Sequence, residues 1–261
     1  MKSKLLPENL GFCNGPFTVH TSRTMMFKEL EELLDNTQLG TTRDDYLKSI
    51  IESNILAKPT ISSRNKTAKY ISGLYSLSTN VLVFRILRYF WQSEKDGHAL
   101  LAFLCAYARD SLLRDVADVI LSISVGSELS LDYIKDELQD KHPGRFSPRT
   151  LHSTAQNIAS SFQQSGLLSG RRIKIRTNPS VTPANVAYAL LLGYLSGVRG
   201  QSLFKTEWAK LLDISQDRIA NFASQAHRLG WMEFRNFGNV VDISFNNLLT
   251  KEEKEAIDGT N

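Results

Sequence analysis

Residues 147–176 read SPRTLHSTAQNIASSFQQSGLLSGRRIKIR, and this stretch decides the fold. Ser147 followed by Pro148 is a helix start. The serine oxygen can accept from a free amide of the first turn, and the N–H that proline lacks is one the first helical position does not use. Leu151, Ala155, Ile158 and Phe162 recur at helical spacing as one apolar stripe, and Gly166 stops the helix. From Arg172 on the period changes. Ile173 and Ile175 alternate with Arg172, Lys174 and Arg176, which predicts a half-buried strand over Arg171–Arg176 with isoleucines inward and cations outward.

Outward from there, a helix over Glu128–Lys141 is expected, capped by Ser127 or Ser130 and ended by Pro143 and Gly144. Helix, short break, capped helix and basic strand is the outline of a winged helix-turn-helix unit. Leu203–Phe245 repeats that outline. There Ser202–Leu212 is a short helix, Ser215 caps a helix to Leu229, and Gly230 stops it. A hairpin of Trp231–Phe234 and Val240–Phe245 then turns over residues 236–239. Counted back from Gly166 and Gly230, Phe162 falls on Ala226, Ile158 on Phe222, Ala155 on Ile219 and Asn157 on Asn221. Arg43–Ser53 (capped by Thr42) and a helix from Ser62 or Ser63 to Tyr75 form a third, wingless helix-turn-helix.

A helix of this kind fits the DNA major groove with polar side chains on base edges, and a basic wing touches the flanking backbone. On helical wheels, the faces opposite the core stripes carry Arg149, Ser153, Gln156 and Asn157 in the first unit and Asn221, Gln225 and Arg228 in the second. The N-terminal helix carries Lys66 and Lys69 there, with Arg64 and Asn65 at its start. With Arg171, Arg172, Lys174 and Arg176 these are the candidate DNA-binding residues. Asp217 opposes phosphate and makes the second unit a candidate structural copy. Two bland readings stand beside this one: helix-turn-helix units also dock proteins, and the basic strand could pair with acids elsewhere in the fold.

The remaining pattern is helical. Thr24–Asn36, Val81–Gln92, His98–Asp110, Ser111–Ser124 and Thr182–Ser196 are apolar or amphipathic, after an irregular Gly- and Pro-containing leader over residues 1–20. The fold class is therefore mainly α, a multi-helix protein with helix-turn-helix or winged-helix-like units and small β wings. Five segments follow: an N-terminal helical domain (1–78), a central helical core (79–127), two winged-helix-like units (128–180 and 181–250) and a polar tail (251–261).

Charge distribution points the same way. The net charge is only +4, but residues 141–206 hold no acid and a charge of +9, and residues 53–93 hold no acid and +6. The rest of the chain is at −11, so two basic blocks on an acidic background suggest a polyanion partner. Hydrophobic residues make up 42% and charged residues 22%, which excludes a disordered or fibrous chain. The two cysteines, Cys13 and Cys105, give no disulfide framework or zinc spacing and fit a reducing cytoplasm; Cys105 lies in an apolar helix as an inert thiol. The residues from Met1 to His20 have no apolar run of the signal-peptide type, and no stretch is long and apolar enough for a membrane span. No phosphate-binding loop, dinucleotide fingerprint, zinc-protease or nucleophile-elbow motif is present, so neither an enzyme nor a cofactor is expected.

The stretch Asn54–Ile71 (NILAKPTISSRNKTAKYI), the helices around Leu101–Asp115 and the run Ser147–Gly166 together resemble the BrxA family of bacteriophage exclusion (BREX) defence systems. The resemblance spans roughly residues 24–176. It implies a small, largely helical, DNA-binding accessory protein, with double-stranded DNA and other BREX components as partners. It transfers no catalytic residue. The strand and hairpin make this chain less purely helical than the family. Two further functions remain open: an adaptor that docks onto a larger complex, and a transcriptional regulator reading two half-sites as a dimer.

Overall fold

The computed structural model describes residues 6–16, 18–237 and 240–258. The N-terminal part has α1 (Phe27–Asp35), α2 (Arg43–Ile51), α3 (Ile61–Tyr75) and α4 (Leu82–Phe90). Next come α5 (His98–Arg109), α6 (Ser111–Leu121), β1 (Glu128–Leu129), α7 (Leu131–Lys141), α8 (Pro148–Gln164), β2 (Leu168–Ser169) and β3 (Lys174–Arg176). The C-terminal part has α9 (Pro183–Leu195), a 3-10 helix (Gly200–Lys205), α10 (Glu207–Lys210), α11 (Gln216–Arg228), β4 (Glu233–Phe237), β5 (Val240–Ser244) and α12 (Lys251–Asp258). The protein is mainly helical, with two small antiparallel sheets ordered β1–β3–β2 and β4–β5.

Two helices lack a polar face and so must be covered on all sides. Every residue of α5 from Leu100 to Ala108 is buried, and α9 is buried except at Pro183 and Tyr194. Helices α1, α3, α4, α6 and α8 pack around α5, while α4, α10, α11 and the 3-10 helix pack around α9, which also touches α5. One hydrophobic core results, running from Leu10 to Ile257. At Gly193 the 3-10 segment comes so close that an added Cβ would lie 3.1 Å from Leu203 and Thr206. Buried Asn185 satisfies its amide by donating to the Gly97 carbonyl (2.8 Å) while accepting from the Thr182 amide (2.9 Å), which fixes the start of α9.

The expected caps Thr42, Ser147, Thr182 and Ser215 all cap their helices. Several local expectations change. The cap of α3 is Thr60, whose oxygen accepts from the Ser63 amide while Ser63 bonds back, so the helix starts earlier than Ser62. Glu128 and Leu129 are a strand paired with β3, not the first turn of a helix; α7 begins at Leu131, capped by Ser130. The expected helix over Ser202–Leu212 is a 3-10 segment and the four-residue α10, divided at Thr206. The β4–β5 hairpin is present but shifted: β4 starts at Glu233 rather than Trp231, and Asn236 and Phe237, expected in the turn, pair with Val241 and Val240; residues 238–239 lie outside the described residues.

The leader contributes to the core. Phe12, Val19, Met25 and Met26 are buried, and a polar network holds the segment down. Asp110 caps α6 through the Leu112 amide (3.1 Å), and its other oxygen accepts from the Val19 and His20 amides. The same oxygen lies 2.8 Å from His20 Nδ1, and His20 Nε2 lies 2.9 Å from Ser161 Oγ on α8. Ser161 Oγ also accepts from the Met25 amide. Burial pushes the Asp110 carboxyl up, but His20 and the two amides outweigh it and hold the carboxyl below the ordinary aspartate range.

Removing the Asp110 carboxylate leaves these donors buried and unpaired, so Asp110→Ala should lower unfolding free energy by about 3–5 kcal/mol in urea titrations. A carboxyl with a depressed folded-state pKa adds stability above the unfolded value, lost as pH falls through the folded one. Wild type should therefore weaken more steeply than Asp110→Ala below about pH 4. Parallel acid limbs for the two proteins would contradict this role.

Candidate nucleic-acid interface

Helices α7 and α8 and the β2–β3 hairpin meet around one cleft. Helix α8 starts at Ser147, which accepts from the Thr150 amide, and has Pro148 at its first position. Its first turn holds no acid and carries exposed Arg149, so positive charge gathers at the helix N-terminus. The hairpin turns at Gly170, whose φ of +87° puts the Ile173 carbonyl 2.1 Å from where a Cβ would sit. The turn presents Arg171, Arg172 and Ile173 to solvent. Between hairpin and helices lies a cleft of about 780 Å³. Its α8 wall has His152, Gln156 and Ser160; its α7 wall has Asp132, Tyr133 and Lys135; the hairpin supplies Arg171 to Lys174.

The basic strand differs from its expected form. Only Lys174–Arg176 pair as a strand, between β1 and β2, because the Gly170 turn takes up the preceding residues. Ile173 is 56% exposed at the tip rather than facing inward. Arg176 is 1% exposed rather than on an outer face. Its guanidinium bonds to the Leu167 and Thr177 carbonyls and pairs with Asp213 of the α10–α11 turn at 2.8 Å. Alternation separates the strand's two faces, but it cannot reveal that the C-terminal elements cover one of them. Lys174 also serves the hairpin. Its ammonium donates to Gln163 Oε1 (2.5 Å) and to the Gly170 and Arg171 carbonyls, and burial lowers its pKa. Of the four cations, Arg171 and Arg172 are the exposed pair.

On α8 the exposed stripe is shifted. Arg149 and Gln156 are exposed and Ser153 is half-buried, its hydroxyl donating to the Thr150 carbonyl. Asn157 is half-buried and lines the same cleft, but its amide is committed to the leader, donating to the His20 carbonyl at 2.9 Å. His152 and Ser160 also line the cleft, one turn to either side of Gln156. Their i, i+4 spacing was visible in the sequence; the leader that covers Asn157 was not. Tyr133 and Lys135 were also missed, since only the tertiary fold sets α7 across from the hairpin.

The other candidates are less well placed. Arg64 turns back and donates to the Ile51 and Lys58 carbonyls, closing the end of α2. Asn65, Lys66 and Lys69 are exposed on α3, and Asn65 and Lys69 line a groove against α2 with Arg43. Nine residues, Glu52 to Thr60, join α2 to α3, longer than the three- or four-residue turn of a helix-turn-helix. In the same acid-free block Lys58 pairs with Glu29, Arg85 pairs with Glu253, and Arg88 is buried against the Thr37 carbonyl. On α11, Asn221 accepts from Gln225 at 2.7 Å and Arg228 donates to the Ser224 carbonyl, so all three outer residues are engaged within the helix. The β4–β5 hairpin mixes Glu233, Arg235 and Asp242, unlike the basic first hairpin.

Asp110, His20 and Ser161 are connected in the order of a hydrolase relay, but all three are 0% exposed. Ser161 Oγ is also tied to the Met25 amide and the Asn157 carbonyl, so no substrate can approach it. Burial pushes the Cys105 thiol up to about 12, which leaves it unreactive. Among the described residues no group of three His, Cys, Asp or Glu is placed to hold a metal ion. Also among the described residues, no helix is long and apolar enough to cross a membrane.

Arg176→Ala should cost about 3 kcal/mol of stability, since it strips a pair in which the cation is fully buried. Arg171→Ala and Arg172→Ala should stay within about 0.5 kcal/mol of wild type, as exposed side chains do. Urea unfolding of the three single variants checks the division; equal losses in all three would overturn it. No protein-family model matches the chain, and no curated protein matches it.

Proposed function

We propose that the chain is a non-enzymatic protein that binds double-stranded DNA, and that residues 111–176 are its contact unit, folded as a winged helix-turn-helix. The observation that carries this reading is the order of elements. Helix α6, strand β1, helices α7 and α8, and a hairpin whose second strand β3 lies between β1 and β2 follow one another as in that unit. Helix α8 would lie in the major groove with Gln156 toward base edges. Arg149 and the α8 amides would meet a phosphate, and Arg171 and Arg172 would meet the flanking backbone.

Helix α9, the 3-10 segment, α10, α11 and the β4–β5 hairpin follow the same order, the 3-10 segment standing where a first strand would be. This second unit is proposed as the structural copy. Its mixed-charge hairpin and self-bonded α11 face favour protein docking, which keeps the adaptor reading alive for this half of the chain. A role beside other BREX components, in the cytoplasm, is proposed on the sequence resemblance alone.

Fluorescence anisotropy of an arbitrary labelled duplex across a salt series tests the reading. Binding should weaken steeply as salt rises, because phosphate contacts release counterions. Changing Arg149, Arg171 and Arg172 together to Ala should flatten the slope of log K against log salt by up to about 2.7, or ~0.9 per lost contact. Absence of duplex binding at low salt would sink the DNA reading and turn attention to protein partners.

A further inference from the structure

The cleft beside α8 has features that a smooth duplex-reading surface does not need. Besides being the helix proposed to meet DNA, α8 forms one wall of a concavity of about 780 Å³. That volume lies in the range of pockets that take small ligands. Two of the large apolar side chains exposed on the protein, Tyr133 (54%) and Ile173 (56%), line it from opposite elements. Tyr133 has no ring neighbour and no hydrogen bond among the described residues, so nothing within the described fold accounts for its position. Gln156, on the third wall, also makes no hydrogen bond among the described residues, and its amide can both donate and accept.

The charge around the cleft is local. Arg171 and Arg172 stand at the hairpin tip, Lys135 is neutralised by Asp132, and exposed Glu128 of β1 is the remaining carboxylate in the lining. Beyond it, α7 exposes Asp136 and Asp140. A continuous phosphate track along α7 is therefore disfavoured, and anion contact is confined to the hairpin and the start of α8. An aromatic face, an apolar tip, an amide and two adjacent guanidiniums are what an unpaired nucleotide uses: base stacking, edge hydrogen bonding and phosphate contact.

We propose that this cleft takes up one unpaired nucleotide at the end of a DNA duplex. Its base stacks on Tyr133 beneath Ile173, Gln156 bonds to the base edge, and Arg171 and Arg172 hold the adjoining phosphate. The proposal rests on the DNA-binding reading and narrows it, from duplex in general to duplex with an unpaired base beside it.

The test compares a blunt duplex with the same duplex carrying three-nucleotide 5′ or 3′ overhangs, by anisotropy at one salt concentration. The full chain, Tyr133→Ala and Tyr133→Phe are run in parallel. One overhang base is replaced by 2-aminopurine, whose fluorescence falls on stacking. Wild type should bind one of the overhang substrates at least fivefold more tightly than the blunt duplex and quench the probe. Tyr133→Ala should lose about 5- to 100-fold on the overhang substrate and abolish quenching, while binding blunt duplex unchanged. Tyr133→Phe keeps the ring and should behave as wild type. Circular dichroism confirms folding of both variants. Equal affinity for blunt and overhang DNA overturns the cleft proposal and leaves the duplex reading standing. An overhang preference that survives in Tyr133→Ala also overturns it, since the base then sits elsewhere. Failure to bind any of the substrates removes both readings.

Discussion

The fold depends on one constraint: α5 and α9 are apolar all round, so neither has a side that water can share. Each must be enclosed by other elements. The N-terminal helices, α6 and α8 enclose the first, and the C-terminal elements enclose the second. Because the two buried helices touch, the enclosing layers meet and are joined by specific polar contacts. Arg176 reaches across to Asp213, and Tyr107 of α5 donates to Glu207 of α10 at 3.0 Å. Burial raises the Glu207 carboxyl pKa, against the opposing pull of Tyr107 and nearby Arg114. The hairpin tip and the start of α8 are thus carried on a scaffold whose position is set by core burial, with Arg149, Arg171 and Arg172 exposed on them.

Most helices were legible because their signals are local. A capping oxygen and a 3.6-residue apolar period lie within one segment, so Ser147, Thr182 and Ser215 could be read one at a time. Of the matched positions in the two units, Ala155, Ile158 and Phe162 are buried on α8 and Ile219 and Ala226 on α11, while Phe222, matched to Ile158, is half-buried. Strands β1 and β2 were not legible, because two residues carry no period. The thirteen-residue apolar α9 shows why composition alone cannot set orientation, since a helix buried throughout has no face to read.

The candidate site was less legible, and for one physical reason. Whether a cation meets solvent is decided by what the rest of the chain lays over it. Arg176, Lys174, Arg64 and Asn157 all have the chemistry expected of a contact residue, yet each is used to satisfy buried or half-buried carbonyls. Unsatisfied carbonyls at helix ends and tight turns need donors, and long basic side chains can supply several at once. A basic block in a sequence is therefore partly scaffold. Of the exposed cations in the central block, Lys141 is held by Glu137 and the Asp115 carbonyl and Arg145 by the Pro16 carbonyl, which leaves Arg149, Arg171 and Arg172, with Lys205 apart on the 3-10 segment.

The anchoring of the leader also bears on how the chain is made. Val19 and His20 bond to a residue about ninety positions later, and His20 reaches Ser161, which is 141 positions away. During synthesis the leader thus emerges well before the residues it bonds to. Until α8 leaves the ribosome, Phe12, Val19 and Met25 have no complete surface to cover. Contacts of such long range also slow the search for the native state. A nascent chain halted between Asp110 and Ser161 would hold only the Asp110 half of the leader's anchor.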